Sequence, residues 1–131
     1  MHYLIDTNII IYRLKNIGNV NDNFLVHKTD LMSVSVVSYG ELIYGAQKSK
    51  FVEKNLETVR AVKDIFPLID VTAEIIDSFG EIKACMHKIG RAVDDMDLLI
   101  AATAIVNKMT LVTHNTRHFE HIPYLSLDDW Y

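Results

Sequence analysis

Three carboxylates, Asp94, Asp95 and Asp97, crowd into the four positions DDMD directly before LLIAATAIV, a run that is apolar on every face except at Thr103. Such a run is buried when it forms a helix, so at least one of these acids stands near the interior. Two more acids occupy comparable places: Asp6 ends the apolar run HYLI, and Glu41 lies in SYGELIYGAQK just after the β-branched LMSVSVV. If Asp6, Glu41 and Asp97 meet, each raises the pKa of the others unless a positive charge neutralises them. Oxygen ligands alone suit Mg²⁺ or Mn²⁺ rather than zinc, and Mg²⁺ takes one or two carboxylates together with waters and substrate phosphate oxygens. A metal-loaded trio of this kind attracts a phosphodiester that the bare acids would repel.

The elements that must bring the acids together follow from periodicity. HYLI reads as a strand and TNIIIYRLK as a helix closed by NIGN. LMSVSVV reads as a second strand, SYGELIYGAQK as a helix, and residues 51 to 65 as a longer amphipathic helix. FPLIDV predicts a third strand, and TAEIIDSFGEIKACMHKIG a helix with Thr72 as N-cap and Gly90 just past its end. After the apolar helix come the strand TLVT, a polar loop and a short strand YLSL. This alternation predicts a three-layer α/β/α sandwich, a mainly parallel central sheet with helices on both faces. In such a sheet the strands' carboxyl ends share one edge with the helix N-termini, and ligands bind in the crevice there. Asp6, Glu41 and Asp97 all map to that edge.

Each acid also has a structural explanation. Asp6 or Thr7 suits the cap of the first helix. Ser38 to Glu41 fits a capping box, with Val37 and Leu42 as its hydrophobic staple. Asp94 or Asp95 makes an N-cap that leaves Asp97 in the first turn, where the helix dipole favours an anion. His114, His118 and His121 fall within eight residues and would serve as a zinc site or a metal-free acid–base pair for RNA cleavage if their loop were helical. An aspartyl phosphatase or receiver is a further reading of Asp6, although the second acid such sites carry two residues on is here Asn8. A non-enzymatic module that binds a partner, its acids serving as caps, completes the set.

Bulk composition narrows these choices. The 131 residues are half hydrophobic and contain no repeat, low-complexity tract or linker, so a single domain over residues 1–131 is expected. A net charge of −4 is the reverse of what general phosphate neutralisation requires, so a polyanion must be met by a local patch or by bound cations. The lone Cys85 fits a reducing compartment. MHYLID lacks a basic n-region, and no apolar stretch approaches the ~20 residues of a membrane span, so a soluble cytoplasmic protein without membrane contact is expected. Arg91 and Arg117 flank two of the acid-bearing loops, and Lys48, Lys50 and Lys54 follow the Glu41 helix; these are the cations available for phosphates, with Lys48 nearest the motif. Tyr39 and Tyr44 are candidates for base stacking or for core packing.

YLIDTNIIIY, SYGELIYGAQKS, IGRAVDDMDLLIAATAI and TLVTHNTRHFEHIPYLSLDDW, taken in this order across nearly the whole chain, resemble the PIN-domain ribonucleases of the VapC toxin type. The resemblance implies a PIN-like fold and a Mg²⁺- or Mn²⁺-dependent endoribonuclease that leaves 5′-phosphate and 3′-hydroxyl ends. By position, Asp6, Glu41 and Asp97 match the family's metal-site acids, and Asn115 falls on a fourth polar position often held by Asp. Asn115 offers a neutral oxygen but no charge. Thr7 and Asn8 are the expected orienting groups around Asp6. Asp94 and Asp95 are read as caps, with Asp95 the candidate for an accessory water contact if the turn is tight. The family also implies a transfer RNA substrate, initiator transfer RNA included, a VapB-like antitoxin that lays a basic side chain near the acids, and a homodimer. Ile10, Ile11 and Leu14 suit either that dimer interface or the core.

Overall fold

The computed structural model describes residues 1–131. Its first strand, β1 (His2–Ile5), alternates as a strand buried on both faces must: Tyr3 and Ile5 enter one apolar core and Leu4 the other. With β2 (Leu31–Ser35), β3 (Leu68–Ile69), β4 (Thr110–Val112) and β5 (Ser126–Asp128) it forms a wholly parallel sheet in the order β3-β2-β1-β4-β5. Tyr3 lies opposite Met32 on one side and Thr110 on the other. From β1 the chain builds outward through β2 and β3, then crosses over to lay down β4 and β5. The switch point therefore falls between β1 and β4, and its carboxyl end is where such sheets bind ligands.

Helices cover both faces. α1 (Thr7–Lys15), α2 (Val20–Val26), α3 (Val36–Gln47), α4 (Val52–Arg60) and α5 (Val62–Ile65) enclose the core that contains Ile5, Ile9, Phe24, Leu42 and Val59. α6 (Ala73–Lys88) and α7 (Asp95–Val106) enclose the other, around Leu4, Ile82, Ile100 and Leu111. The three-layer α/β/α sandwich expected from periodicity is the architecture observed. α1 spans TNIIIYRLK, and α6 starts behind a Thr72 side chain that accepts from the Ile75 N–H and ends ahead of Gly90 at φ +72°.

Four local readings change. LMSVSVV does not stay extended, because the Ser35 hydroxyl accepts from the Val37 N–H at 3.1 Å and starts α3 at Val36; such a cap contributes about 1 kcal/mol, enough to draw two β-branched residues into a helix. Glu41 is consequently in the second turn rather than the first, Ser38 caps nothing, and the capping box and its staple do not form. The amphipathic stretch 51–65 breaks at Ala61 into α4 and α5. α2 occupies a segment without a strong helical pattern; no side chain caps it, and buried Val20 and Phe24 hold it to the core. The polar loop after β4 contains one helical turn, α8 (Thr116–Phe119), anchored by buried Phe119.

Candidate active site

Asp6 is the joint between sheet and helix. Its N–H still donates to Val112 O of β4 at 2.9 Å, while its carbonyl accepts from the Ile9 and Ile10 N–H groups and opens α1. Its side chain is almost fully buried, with Oδ1 accepting from the Thr7 N–H at 2.9 Å and Oδ2 from the Thr113 hydroxyl at 2.8 Å. The capping role expected for Asp6 is therefore the one observed, at the sheet edge where ligands bind. Burial pushes its pKa up from 3.8 to about 6; the two hydrogen bonds oppose that rise, and the charges of Asp97 and Glu41 add to it. The charges of two acids from distant segments, Asp97 and Glu41, therefore reach Asp6 at the β1/β4 switch point.

Glu41 and Asp97 are held differently. The Thr7 hydroxyl donates to Glu41 Oε1 at 2.7 Å, tying α3 to the first residue of α1. Asp97 is the third residue of α7, and its Oδ2 lies 3.3 Å from His118 Nδ1 on α8. Burial raises the Asp97 carboxyl pKa, opposed by the bond and charge of His118 and reinforced by Asp94. Neither Glu41 Oε2 nor Asp97 Oδ1 takes part in a hydrogen bond within the chain.

Donor chemistry favours a hard cation here: the facing groups are carboxylates, one is buried, and their mutual repulsion is what a divalent ion relieves. No three His, Cys, Asp or Glu side chains form a ready-made cage. A hard cation does not require such a cage, because it takes few protein oxygens and fills its remaining positions with water and substrate. The histidines do not form a zinc site. His114 pairs with Asp129 and stacks on Tyr131, His118 faces Asp97, and His121 pairs with Glu120.

Thr113 was visible in TLVT only as the end of a strand, yet its buried hydroxyl donates to Asp6 and accepts from the Asn115 N–H at 3.1 Å. The signal was available in type and place, a hydroxyl at a strand's carboxyl end, but β4 had to be known as the neighbour of β1. Thr113→Val leaves a buried carboxylate short of a donor, so we expect a loss of about 1–3 kcal/mol in urea unfolding at neutral pH and a further rise of the Asp6 titration midpoint by NMR. Thr113→Ser keeps both; equal behaviour of the two variants contradicts the assignment.

The remaining candidates separate. Thr7 serves Asp6 through its backbone and Glu41 through its side chain. Asn8 Oδ1 accepts from the His114 N–H at 3.4 Å, bracing the loop after β4, and does not touch Asp6. Asn115 is exposed and reaches the site through its backbone N–H, not its side-chain oxygen. Asp94 is the N-cap of α7, accepting from the Met96 N–H. Asp95 is not an accessory site group: two residues are about 200° of helix, so it points away from Asp97 and pairs with Lys83 of α6 at 2.9 Å. Lys48 lies over the exposed Tyr44 ring, outside the clefts that border the acids, and Tyr39 packs against the core. Arg91 and Arg117 do line a cleft with Asp97. Of the apolar residues considered for an interface, Ile10 is buried in the core and Leu14 is exposed.

Comparison with known proteins is consistent with this geometry. Residues 3–124 match the PIN domain family model. The chain is 34% identical to the tRNA(fMet)-specific endonuclease VapC of Shigella flexneri and 34% identical to ribonuclease VapC2 of Rickettsia felis, covering 99% of this chain and 98% of each relative. Among solved structures, the crystal structure of VapBC2 from Rickettsia felis bound to a promoter DNA fragment superposes with a TM-score of 0.93 at 32% identity, covering 100% of both chains. DNA-bound VapBC from Salmonella typhimurium superposes with a TM-score of 0.91 at 31% identity, over 100% of this chain and 99% of that one.

Proposed function

The chain belongs to the PIN-domain family, among its VapC-type ribonuclease toxins, and from that premise we propose that Asp6, Glu41 and Asp97 are the catalytic acids with which it hydrolyses RNA. It is an RNA-cleaving toxin neutralised by a VapB-type antitoxin. The observation that carries the site assignment is the position of Thr7, whose N–H donates to Asp6 and whose hydroxyl donates to Glu41, with the charge of Asp97 also reaching Asp6.

The free oxygens of Glu41 and Asp97, with Asp6, are the ligands we assign to Mg²⁺ or Mn²⁺. When bound, that cation supplies a water of lowered pKa and positive charge for the phosphoryl oxygens. The chain's own residues do the rest. Thr113 and the Thr7 N–H fix both Asp6 oxygens, so this carboxylate needs no reorganisation when substrate arrives. Thr7 holds Glu41 by one oxygen and leaves the other unpaired, so that it would be free to hold a cation or a water. His118 orients Asp97 in the same manner. Burial of Asp6 keeps bulk water from this corner of the site.

The substrate we propose is transfer RNA, initiator transfer RNA included, as the names of relatives from Shigella flexneri and Salmonella typhimurium state for those proteins. Residues 1–131 work as one nuclease domain, in the cytoplasm where translation is the target, as a homodimer in complex with the antitoxin. No helix is long and apolar enough to cross a membrane.

Purified protein incubated with total RNA, with Mg²⁺, with Mn²⁺ and with a chelator, tests the reading. Cleavage that needs the cation and leaves 5′-phosphate ends is the expected result, and cleavage indifferent to the chelator contradicts it. A second readout is independent of activity: Mn²⁺ at ten times its dissociation constant should stabilise the protein by about 1.4 kcal/mol. The corresponding rise in melting temperature should vanish in Asp97→Asn; a rise of the same size in both proteins removes Asp97 from the ligand set.

A further inference from the structure

Two clefts border the acids, and they differ in chemistry. The one reached by Glu41 lies between α1, α3 and α4 and mixes aliphatic residues such as Ile11 and Leu42 with polar Asn55 and Thr58 and a single cation, Lys15. The one reached by Asp97 lies between the α6–α7 loop and α8, has a volume of about 190 Å³, and is lined by Arg91, Arg117, His118 and His121. From this asymmetry we propose that the RNA strand leaves the acid site over Asp97 and that Arg91 and Arg117 grip the backbone phosphate next to the scissile one.

Both guanidiniums are free to do this. The chain's six ion pairs use neither of them, and neither side chain makes a hydrogen bond within the protein. Two carboxylates share their cleft: Asp94 caps α7 through the Met96 N–H, and Asp97 faces His118 with one oxygen and leaves the other open. Two unpaired arginines in one cleft with Asp97 bring positive charge beside the acid site in a protein of net charge −4. Arginine's planar fork binds two phosphate oxygens at once, which fixes the strand's orientation as well as its position. Backbone geometry supports the placement. Gly90 at φ +72° turns the chain out of α6, so Arg91 follows directly at the cleft, and the single turn of α8 sets Arg117 and His118 side by side.

This inference rests on the ribonuclease reading and deepens it, so its test separates the two. A short fluorescent single-stranded RNA is bound in the presence of chelator, and affinity is followed as KCl is raised. Each phosphate contact on a single strand contributes about 0.7 to the slope of log affinity against log salt. Arg91→Ala and Arg117→Ala should each make the slope shallower by about 0.7 and the double variant by about 1.4. Arg117→Lys should restore the charge and the slope, and Lys63→Ala, on α5 away from the cleft, should match the unmodified protein. Both arginines are exposed and unpartnered, so unchanged melting curves are expected throughout. Slopes indistinguishable from that of the unmodified protein, in a preparation that cleaves RNA with Mg²⁺, overturn this inference alone. A preparation that neither binds nor cleaves RNA overturns the ribonuclease reading, and this inference with it.

Discussion

Asp6→Asn should abolish RNA cleavage and at the same time make the metal-free protein more stable at neutral pH. The first effect follows from the assigned role: Asn keeps the shape and a capping oxygen but not the charge, and losing one pre-arranged charged group at a reacting centre costs about a thousandfold in rate. The second follows from burial. Asp6 has a pKa of about 6 in the folded chain against an ordinary 3.8, so ionising it in place opposes folding. A carboxyl raised in this way contributes stability that is fully present below the unfolded value and is lost as pH rises through the folded one. The advantage of Asn should therefore be absent near pH 4, grow between pH 4 and 6, and level off above at on the order of 2–3 kcal/mol. The Asn amide can take the place of the charge, accepting from the Thr7 N–H and donating to the Thr113 hydroxyl. Thermal melts in chelator across that pH range, alongside cleavage assays, test both halves. Full activity in Asp6→Asn, or a variant less stable than the parent above pH 6, contradicts the account of this residue.

Trp130→Ala should produce the largest loss of stability in the chain, about 3–5 kcal/mol in urea unfolding, the usual scale for removing a buried Trp. Trp130 is 1% exposed, stacks on His27 at 4.5 Å and meets Tyr3 and Phe24 edge-on. Its indole N–H donates to Asp128 Oδ2 at 3.1 Å, and its carbonyl accepts from the Asn23 side chain. Truncation leaves a cavity between α2 and β1. It also loosens the end of β5, whose Asp128 carbonyl accepts from the Thr113 N–H. The residue that holds Asp6 is thus seated partly by the segment Trp130 pins. Trp130→Phe, which retains most of the apolar area, should lie between the parent and Trp130→Ala. A loss below about 1 kcal/mol for the alanine variant would mean that the tail contributes little to holding the sheet.

Much of the design was legible without coordinates because it is local. A strand buried on both faces and a helix with a capped start write their periods into consecutive residues, so β1, α1, α6 and α7 fall where HYLI, TNIIIYRLK, the Thr72 segment and DMDLLIAATAIV put them. The acids were legible too: Asp6 and Asp97 are carboxylates at the mouths of buried elements, where such groups are expensive without a purpose. Glu41 was identified for its type and motif although its turn was misplaced, since a single hydroxyl, Ser35, decided where α3 begins. The break at Ala61 and the helix α2 depend on which faces find a core to cover, and a linear pattern does not record that.

The sequence by itself determined the class of fold and the family, and it singled out the three acids we propose for the site. Only the tertiary structure decided that β4 lies beside β1, and with it that Thr113 grips Asp6, that His118 faces Asp97 and that Asp95 turns away to Lys83. The reason is physical. Periodicity and capping are set by hydrogen bonds and burial within a few residues, whereas the partners of a buried carboxylate are set by which distant segments the packing of two cores brings alongside it.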